Sequence, residues 1–155
     1  MTEPSLQERY APRSTCFGCG PANAKGLRIR SFPRPDGTVV MSFRARPEHE
    51  TFAGNLSGGI AGTIADCGMN WCAVDALMRR SGANAAPCTV TADYLIRFRR
   101  PISTESDIEL VSRTVDVQDD RATVEATLTA GGRECATARG VFVVVKEGHP
   151  AFHRW

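Results

Sequence analysis

The chain has 155 residues, with 19 basic and 17 acidic side chains and a formal net charge of +2. That length suits one domain with its own core, and the near balance of charge excludes a chain-wide field for gripping nucleic acid or an anionic membrane. Cys16, Cys19, Cys67, Cys72, Cys88 and Cys135 lack the spacing of a secreted disulfide scaffold, no apolar run approaches the roughly 20 residues needed to span a bilayer, and Met1-Thr-Glu-Pro-Ser carries no apolar signal segment. The expectation is a single cytoplasmic domain over 1–155, with no nucleic-acid or membrane partner.

Residues 1 to about 25 are rich in Pro, Ser, Gly and charge and read as an irregular arm laid over the domain. Leu27, Ile29 and Phe32 lead into the turn signal Pro33-Arg34-Pro35-Asp36-Gly37, after which Val39, Met41, Phe43 and Ala45 alternate with Val40, Ser42 and Arg44. A hairpin is predicted. From Gly58 to about Arg80 the period changes to 3.6, with Ile60, Ile64, Cys67, Trp71, Val74 and Met78 forming one apolar stripe. Arg79 and Arg80 suit the negative end of a helix, and Gly82 is placed to stop it. Period two then returns in four segments, roughly Cys88 to Arg99, Asp107 to Gln118, Arg121 to Ala130 and Cys135 to Val145. Their connections are too short for crossover helices, so an antiparallel meander is predicted, and the whole is α+β: an antiparallel sheet and one long helix burying each other's apolar faces.

A second helical line, Gly59, Thr63, Asp66 and Asn70, is small and polar, and the remaining surface (Ala61, Gly62, Ala65, Met69, Ala73) has almost no charge. Such a helix is expected to face a cleft or a neighbouring subunit, with Asp66 enclosed, either catalytic or bonded to a backbone amide. Gly58 and Gly59 open the helix, where free N–H groups can hold an oxyanion, and Ser57 is suited to be the N-cap. Thr51 and Asn55, just before it, are placed either to orient substrate or water or to serve as turn residues. On the next strand, strict alternation puts Thr91, Asp93, Leu95, Arg97 and Arg99 on one face and Val90, Ala92, Tyr94, Ile96 and Phe98 on the other. Arg97, Arg99 and Arg100 form the densest basic cluster.

Read as GG-x6-D, the segment from Asn55 to Asp66 resembles the active-site helix of hotdog-fold acyl-CoA thioesterases of the 4-hydroxybenzoyl-CoA and phenylacetate-pathway type. The likeness extends over roughly Cys16 to Val145, with Ser57 standing where the pattern has histidine. It implies a hotdog fold, a sheet wrapped around one central helix, and hydrolysis of a small or medium acyl-CoA, with CoA as part of the substrate and no other cofactor. By the match, Asp66 is base or nucleophile and the Gly58 N–H is the oxyanion donor, while Ser57, Thr51, Asn55, Gly59 and Thr63 surround the thioester. Thr91 is directed to the partner subunit's site, and Arg97, Arg99 and Arg100 meet CoA phosphates. A homodimer, or a pair of dimers, follows. The competing reading is a non-catalytic acyl-CoA-binding protein.

Cys16-Phe17-Gly18-Cys19-Gly20 could form half of a zinc site or a redox pair, but the sequence offers no second CxxC and His49, His149 and His153 are scattered. The expectation is therefore no metal. Cys67 falls on the apolar stripe and reads as core.

Overall fold

In the computed structural model, residues 3–153 are described. The predicted helix is α2, Gly58–Ser81; an unpredicted short helix, α1, spans Leu6–Tyr10. The strands are β1 (Ser31–Pro33), β2 (Val39–Phe43), β3 (Glu50–Phe52), β4 (Asn55–Leu56), β5 (Thr89–Phe98), β6 (Ile108–Val117), β7 (Arg121–Ala130) and β8 (Arg133–Val144). Six of them form one antiparallel sheet in the order β1-β2-β6-β7-β8-β5, and β3 and β4 make a separate ribbon.

The meander is therefore three strands long. β5 does not pair with β6 but lies beyond β8, at the far edge of the sheet. The distance between their positions in the order is about three strand spacings, roughly 14 Å, which the connection from Arg99 to Asp107 bridges with Ile102 buried along the way. Local periodicity fixes strands but not their neighbours, and the open edge of β8 offers a full antiparallel register from Thr89 opposite Val144 to Phe98 opposite Ala136.

The sheet wraps α2. Ile64, Cys67, Trp71, Val74 and Met78 are buried as their spacing predicts, against Leu110, Val124, Leu128 and Phe142. The supposed outer surface is also covered: Ala61, Gly62, Ala65, Met69 and Ala73 are all buried within one chain, so the helix itself leaves little apolar surface for a second subunit. A curved sheet covers more than one side of a helix, and the N-terminal segment covers another. The helix stops at Gly82, whose left-handed φ of 69° and N–H bond to the Met78 carbonyl cap the last turn.

The N-terminal arm is ordered by side chains rather than by a long pattern. The Gln7 amide is buried and clasps Ser31 both ways, its Nε2 donating to the Ser31 hydroxyl at 2.9 Å and its Oε1 accepting from the Ser31 N–H at 2.9 Å. Ser5 and Glu8 form a capping box, and the Glu8 carboxylate also takes Arg30 at 2.9 Å. The Ser5 amide first, then Arg30, bring the Glu8 pKa from an ordinary 4.5 down to about 2. A carboxylate depressed by folding stabilises the protein above its unfolded value and loses that contribution as pH falls through its folded value. Both side chains are 40% exposed, so screening keeps the term at or below about 1 kcal/mol. Glu8→Gln is expected to lower Tm slightly at neutral pH, with the difference from wild type closing between pH 4.5 and about 2; a difference independent of pH in thermal melts would contradict this.

Candidate active site

The loop into α2 is fixed from its backbone. His49 is buried, its ring lies 5.3 Å from that of Phe43, and its Nδ1 accepts from the Arg46 N–H at 3.0 Å. Its carbonyl accepts the Ser57 N–H at 2.8 Å, which sets the approach to the helix. Ser57 holds the N-cap position with φ −60° and ψ 135°, but its hydroxyl makes no capping bond. The first-turn N–H groups of a helix have no intrahelical acceptor, and here the side chain best placed to take one does not. Gly58 and Gly59 are exposed, so this positive end of the helix is open to a ligand.

From there α2 and β5 run against each other. Phe98 Cζ lies 3.7 Å from where a Cβ on Gly58 would stand, and Tyr94 Oη lies 3.0 Å from the equivalent point on Gly62. Thr91 Oγ1 donates to Asp66 Oδ1 at 2.6 Å, and Thr89 Oγ1 to Asn70 Oδ1 at 2.7 Å. The helix positions 58, 62, 66 and 70 are four apart and form one row. Glycine at 58 and 62 admits two rings, and acceptors at 66 and 70 receive two hydroxyls.

This differs from the predicted faces, because β5 contains a bulge between Thr91 and Asp93. One extra residue reverses the alternation, so Thr89 and Thr91 share the helix side with Tyr94 and Phe98 rather than with Leu95 and Arg97. Thr91 thus finds a partner in its own chain, at Asp66.

The end of β5 at Phe98 divides the arginines, since the Arg99 and Arg100 N–H groups both turn to the Cys135 carbonyl. Arg97 is on the outer face of the sheet with Leu95, Arg113, Glu125 and Arg139, around a hollow of about 560 Å³. Arg99 and Arg100 border a separate cleft of about 400 Å³ with Leu56, Gly58, Phe98, Pro101 and Ile102, at the N-terminus of α2. Arg100 Nε donates to the Glu134 carbonyl at 3.1 Å. Other predicted residues have local duties. Thr63 Oγ1 donates to the Gly59 carbonyl at 3.0 Å, Asn55 Nδ2 to the Ala53 carbonyl at 3.2 Å, and Thr51 is exposed on the β3–β4 ribbon.

Burial raises the Asp66 pKa above its ordinary 3.8; the Thr91 hydroxyl opposes that shift and the nearby Cys16 sulfur adds to it. A carboxylate with raised basicity, held by a short charge-assisted hydrogen bond, is suited to take a proton from water or to attack an acyl carbon. Sequence spacing placed Asn70 on the polar line but missed the β5 residues that meet this row: Thr89 at Asn70, Tyr94 at Gly62 and Phe98 at Gly58.

The chain matches the model of the thioesterase-like superfamily over residues 63–151. Its fold is similar to that of a thioesterase superfamily protein from Shewanella loihica PV-4, at 25% identity and a TM-score of 0.64, covering 81% of this chain and 98% of that one. The PaaI protein of the E. coli phenylacetic acid degradation operon is similar at 17% identity and a TM-score of 0.64, over 81% of this chain and 85% of that one. A hypothetical thioesterase solved with coenzyme A from Streptococcus pneumoniae TIGR4 is similar at 18% identity and a TM-score of 0.63, over 76% of this chain and 85% of that one. Among curated proteins none matches. The family match spans more than half the chain, its antiparallel sheet around one long helix is the hotdog fold, and the protein belongs to the thioesterase-like superfamily.

Proposed function

We propose that the protein is an acyl-CoA thioesterase that hydrolyses a small or medium acyl-CoA to the free acid and CoA, with Asp66 as general base or nucleophile. The observation that carries this reading is the Thr91-held, partly buried Asp66 carboxylate on a helix whose first turn presents free amides. The family supports thioester chemistry, and the similar pneumococcal structure was solved with coenzyme A. A cytoplasmic location goes with it, since that is where acyl-CoA is met.

The spacing of the two functional parts supports a site shared between subunits. Gly58 and Asp66 are eight positions apart, so their backbones stand about 12 Å apart along the axis. A reacting carbonyl has to be near 3 Å from both the oxyanion donor and the attacking group. One helix cannot supply both to one thioester, whereas the Asp66 of one chain and the Gly58 of the partner subunit can meet across a two-fold axis. The surface that suits this pairing is β5, not the helix: it is an edge strand of ten residues with Tyr94, Leu95 and Phe98 41%, 55% and 51% exposed. A long, partly apolar edge is a pairing template.

The oxyanion of the tetrahedral species would take the first-turn amides, with Ser57 Oγ beside it in place of an imidazole, and Arg99 and Arg100 would receive CoA phosphate at the adjoining cleft. Since Asp66 acts ionised, kcat/KM is expected to fall with decreasing pH through a value above the ordinary carboxylate pKa. Asp66→Asn should lower kcat by about 10²-fold or more in a free-CoA release assay. An aspartate whose folded pKa is raised costs stability as pH rises through that value, so the variant should melt no lower than wild type at pH 7. Near-wild-type turnover by a folded Asp66→Asn protein would remove the assignment and leave an acyl-CoA-binding protein.

The arginines separate into two classes of expected behaviour. Arg99→Ala with Arg100→Ala should raise KM for acyl-CoA about tenfold or more with little change in kcat, and reduce its salt dependence. Arg97→Ala should leave KM unchanged. Equal effects at all three positions would mean that phosphate does not bind at the cleft.

For the dimer, Asp66→Asn subunits mixed with Arg99→Ala/Arg100→Ala subunits should regain about a quarter of wild-type activity at low substrate, because half of the mixed molecules carry one intact composite site of two. No recovery after verified subunit exchange, or a fully active monomer in sedimentation, would exclude a shared site.

A further inference from the structure

The CxxC turn has a third member that sequence spacing hid. The Sγ atoms of Cys16, Cys19 and Cys67 all lie within 4.8 Å of one another, and those of Cys16 and Cys67 are 3.9 Å apart. Cys67 comes from the middle of α2, where it occupies the apolar stripe, so its position reads as core; folding the N-terminal segment over the helix turns that core thiol into part of a cluster. The chain is built for this approach at Gly18, where a Cβ would stand only 2.3 Å from Cys67 Sγ and 2.8 Å from Thr63 Cγ2. No larger residue lets the turn close on the helix.

We propose that Cys16, Cys19 and Cys67 form a metal site for a thiophilic divalent cation, zinc(II). Two observations converge on it. The first is dimension: sulfurs around a tetrahedral zinc at about 2.3 Å stand about 3.8 Å from one another, and the Cys16–Cys67 separation is already 3.9 Å. The second is the surrounding shell. Trp71 Nε1 donates to Cys19 Sγ at 3.3 Å, a buried indole N–H aimed at sulfur, as outer groups commonly are at thiolate ligands. Binding releases the thiol protons to solvent and leaves three thiolates around the metal, with one tetrahedral position for water.

All six cysteines are free thiols, Cys16 is the exposed member of the three, and Cys19 and Cys67 are 7% and 6% exposed. A cation would therefore enter past Cys16. It would fasten residues 16–19 to α2 at the residue following Asp66, so the site acts as a staple between the N-terminal segment and the catalytic helix. This is independent of thioester hydrolysis: it holds whether or not Asp66 is catalytic.

The test uses untagged full-length protein purified under reductant and analysed for metal, then stripped and titrated with cobalt(II) as a spectroscopic stand-in for zinc. The expected result is about one zinc per chain, with thiolate-to-cobalt charge transfer in the near ultraviolet and tetrahedral bands in the visible, and a higher Tm when zinc is added. Cys16→Ser, at the exposed position and the least disruptive of the three, should weaken cobalt binding by about 100-fold or more and abolish the zinc-dependent rise in Tm. Zinc should also protect Cys16 of the wild-type protein from alkylation, a readout that needs no variant. Absence of zinc together with no cobalt charge-transfer band in the reduced protein would overturn the proposal, as would unchanged cobalt binding by Cys16→Ser or alkylation of Cys16 unaffected by zinc.

Discussion

The close contact of α2 with β5 is the constraint on which the rest of the site depends. A helix can press an aromatic ring or a hydroxyl against its row of side chains only where those side chains are small or can accept a hydrogen bond. Along the row at 58, 62, 66 and 70 the chain supplies two glycines, then an aspartate and an asparagine. The glycines let Phe98 and Tyr94 lie on the backbone, and the two acceptors receive the hydroxyls of Thr91 and Thr89. The same contact positions the carboxylate through Thr91. A partly buried carboxylate and an open helix end both cost stability; they persist because the core around Ile64, Met69 and Phe142 supports them.

Much of the fold was legible because long periodic segments are strong signals. α2 runs from Gly58 to Ser81, against an expectation of Gly58 to about Arg80, and its stop at Gly82 follows from one residue's tolerance of positive φ. Strands β5 to β8 lie where alternation placed them, within one or two residues at most ends. Neighbour relations were not legible. Nothing in the spacing said that β5 crosses to the far side of β8, or that Gln7 and Ser31, 24 positions apart, clasp each other. Such contacts are set by tertiary packing, not by any local pattern.

The site was legible in its parts more than in its assembly. Asp66 and Gly58 stand out from one stretch of helix, yet the place of Thr91 turns on a single bulge and that of the arginines on where β5 ends. Strict period two carries Thr91 to the face of Leu95 and Arg97; one inserted residue returns it to Asp66 and leaves Arg97 on the outer face, while Arg99 and Arg100, past the end of the strand, border the cleft at the helix start. Cys67 shows the same limitation in the helix. Its spacing marks it as core, which it is, and only the fold of the N-terminal segment brings two further sulfurs to it.

The central claim is that Thr91 and Asp66 of one chain act as a unit in hydrolysis, and a double-mutant cycle on kcat with Thr91→Val and Asp66→Asn tests it most directly. If Thr91 works through the carboxylate it bonds, Thr91→Val lowers kcat in the wild-type background and changes it little once Asp66 is already Asn, so the two effects are strongly non-additive. Additive losses in folded proteins would mean that the two residues act separately, and would contradict the account of the Thr91–Asp66 pair as the reacting site.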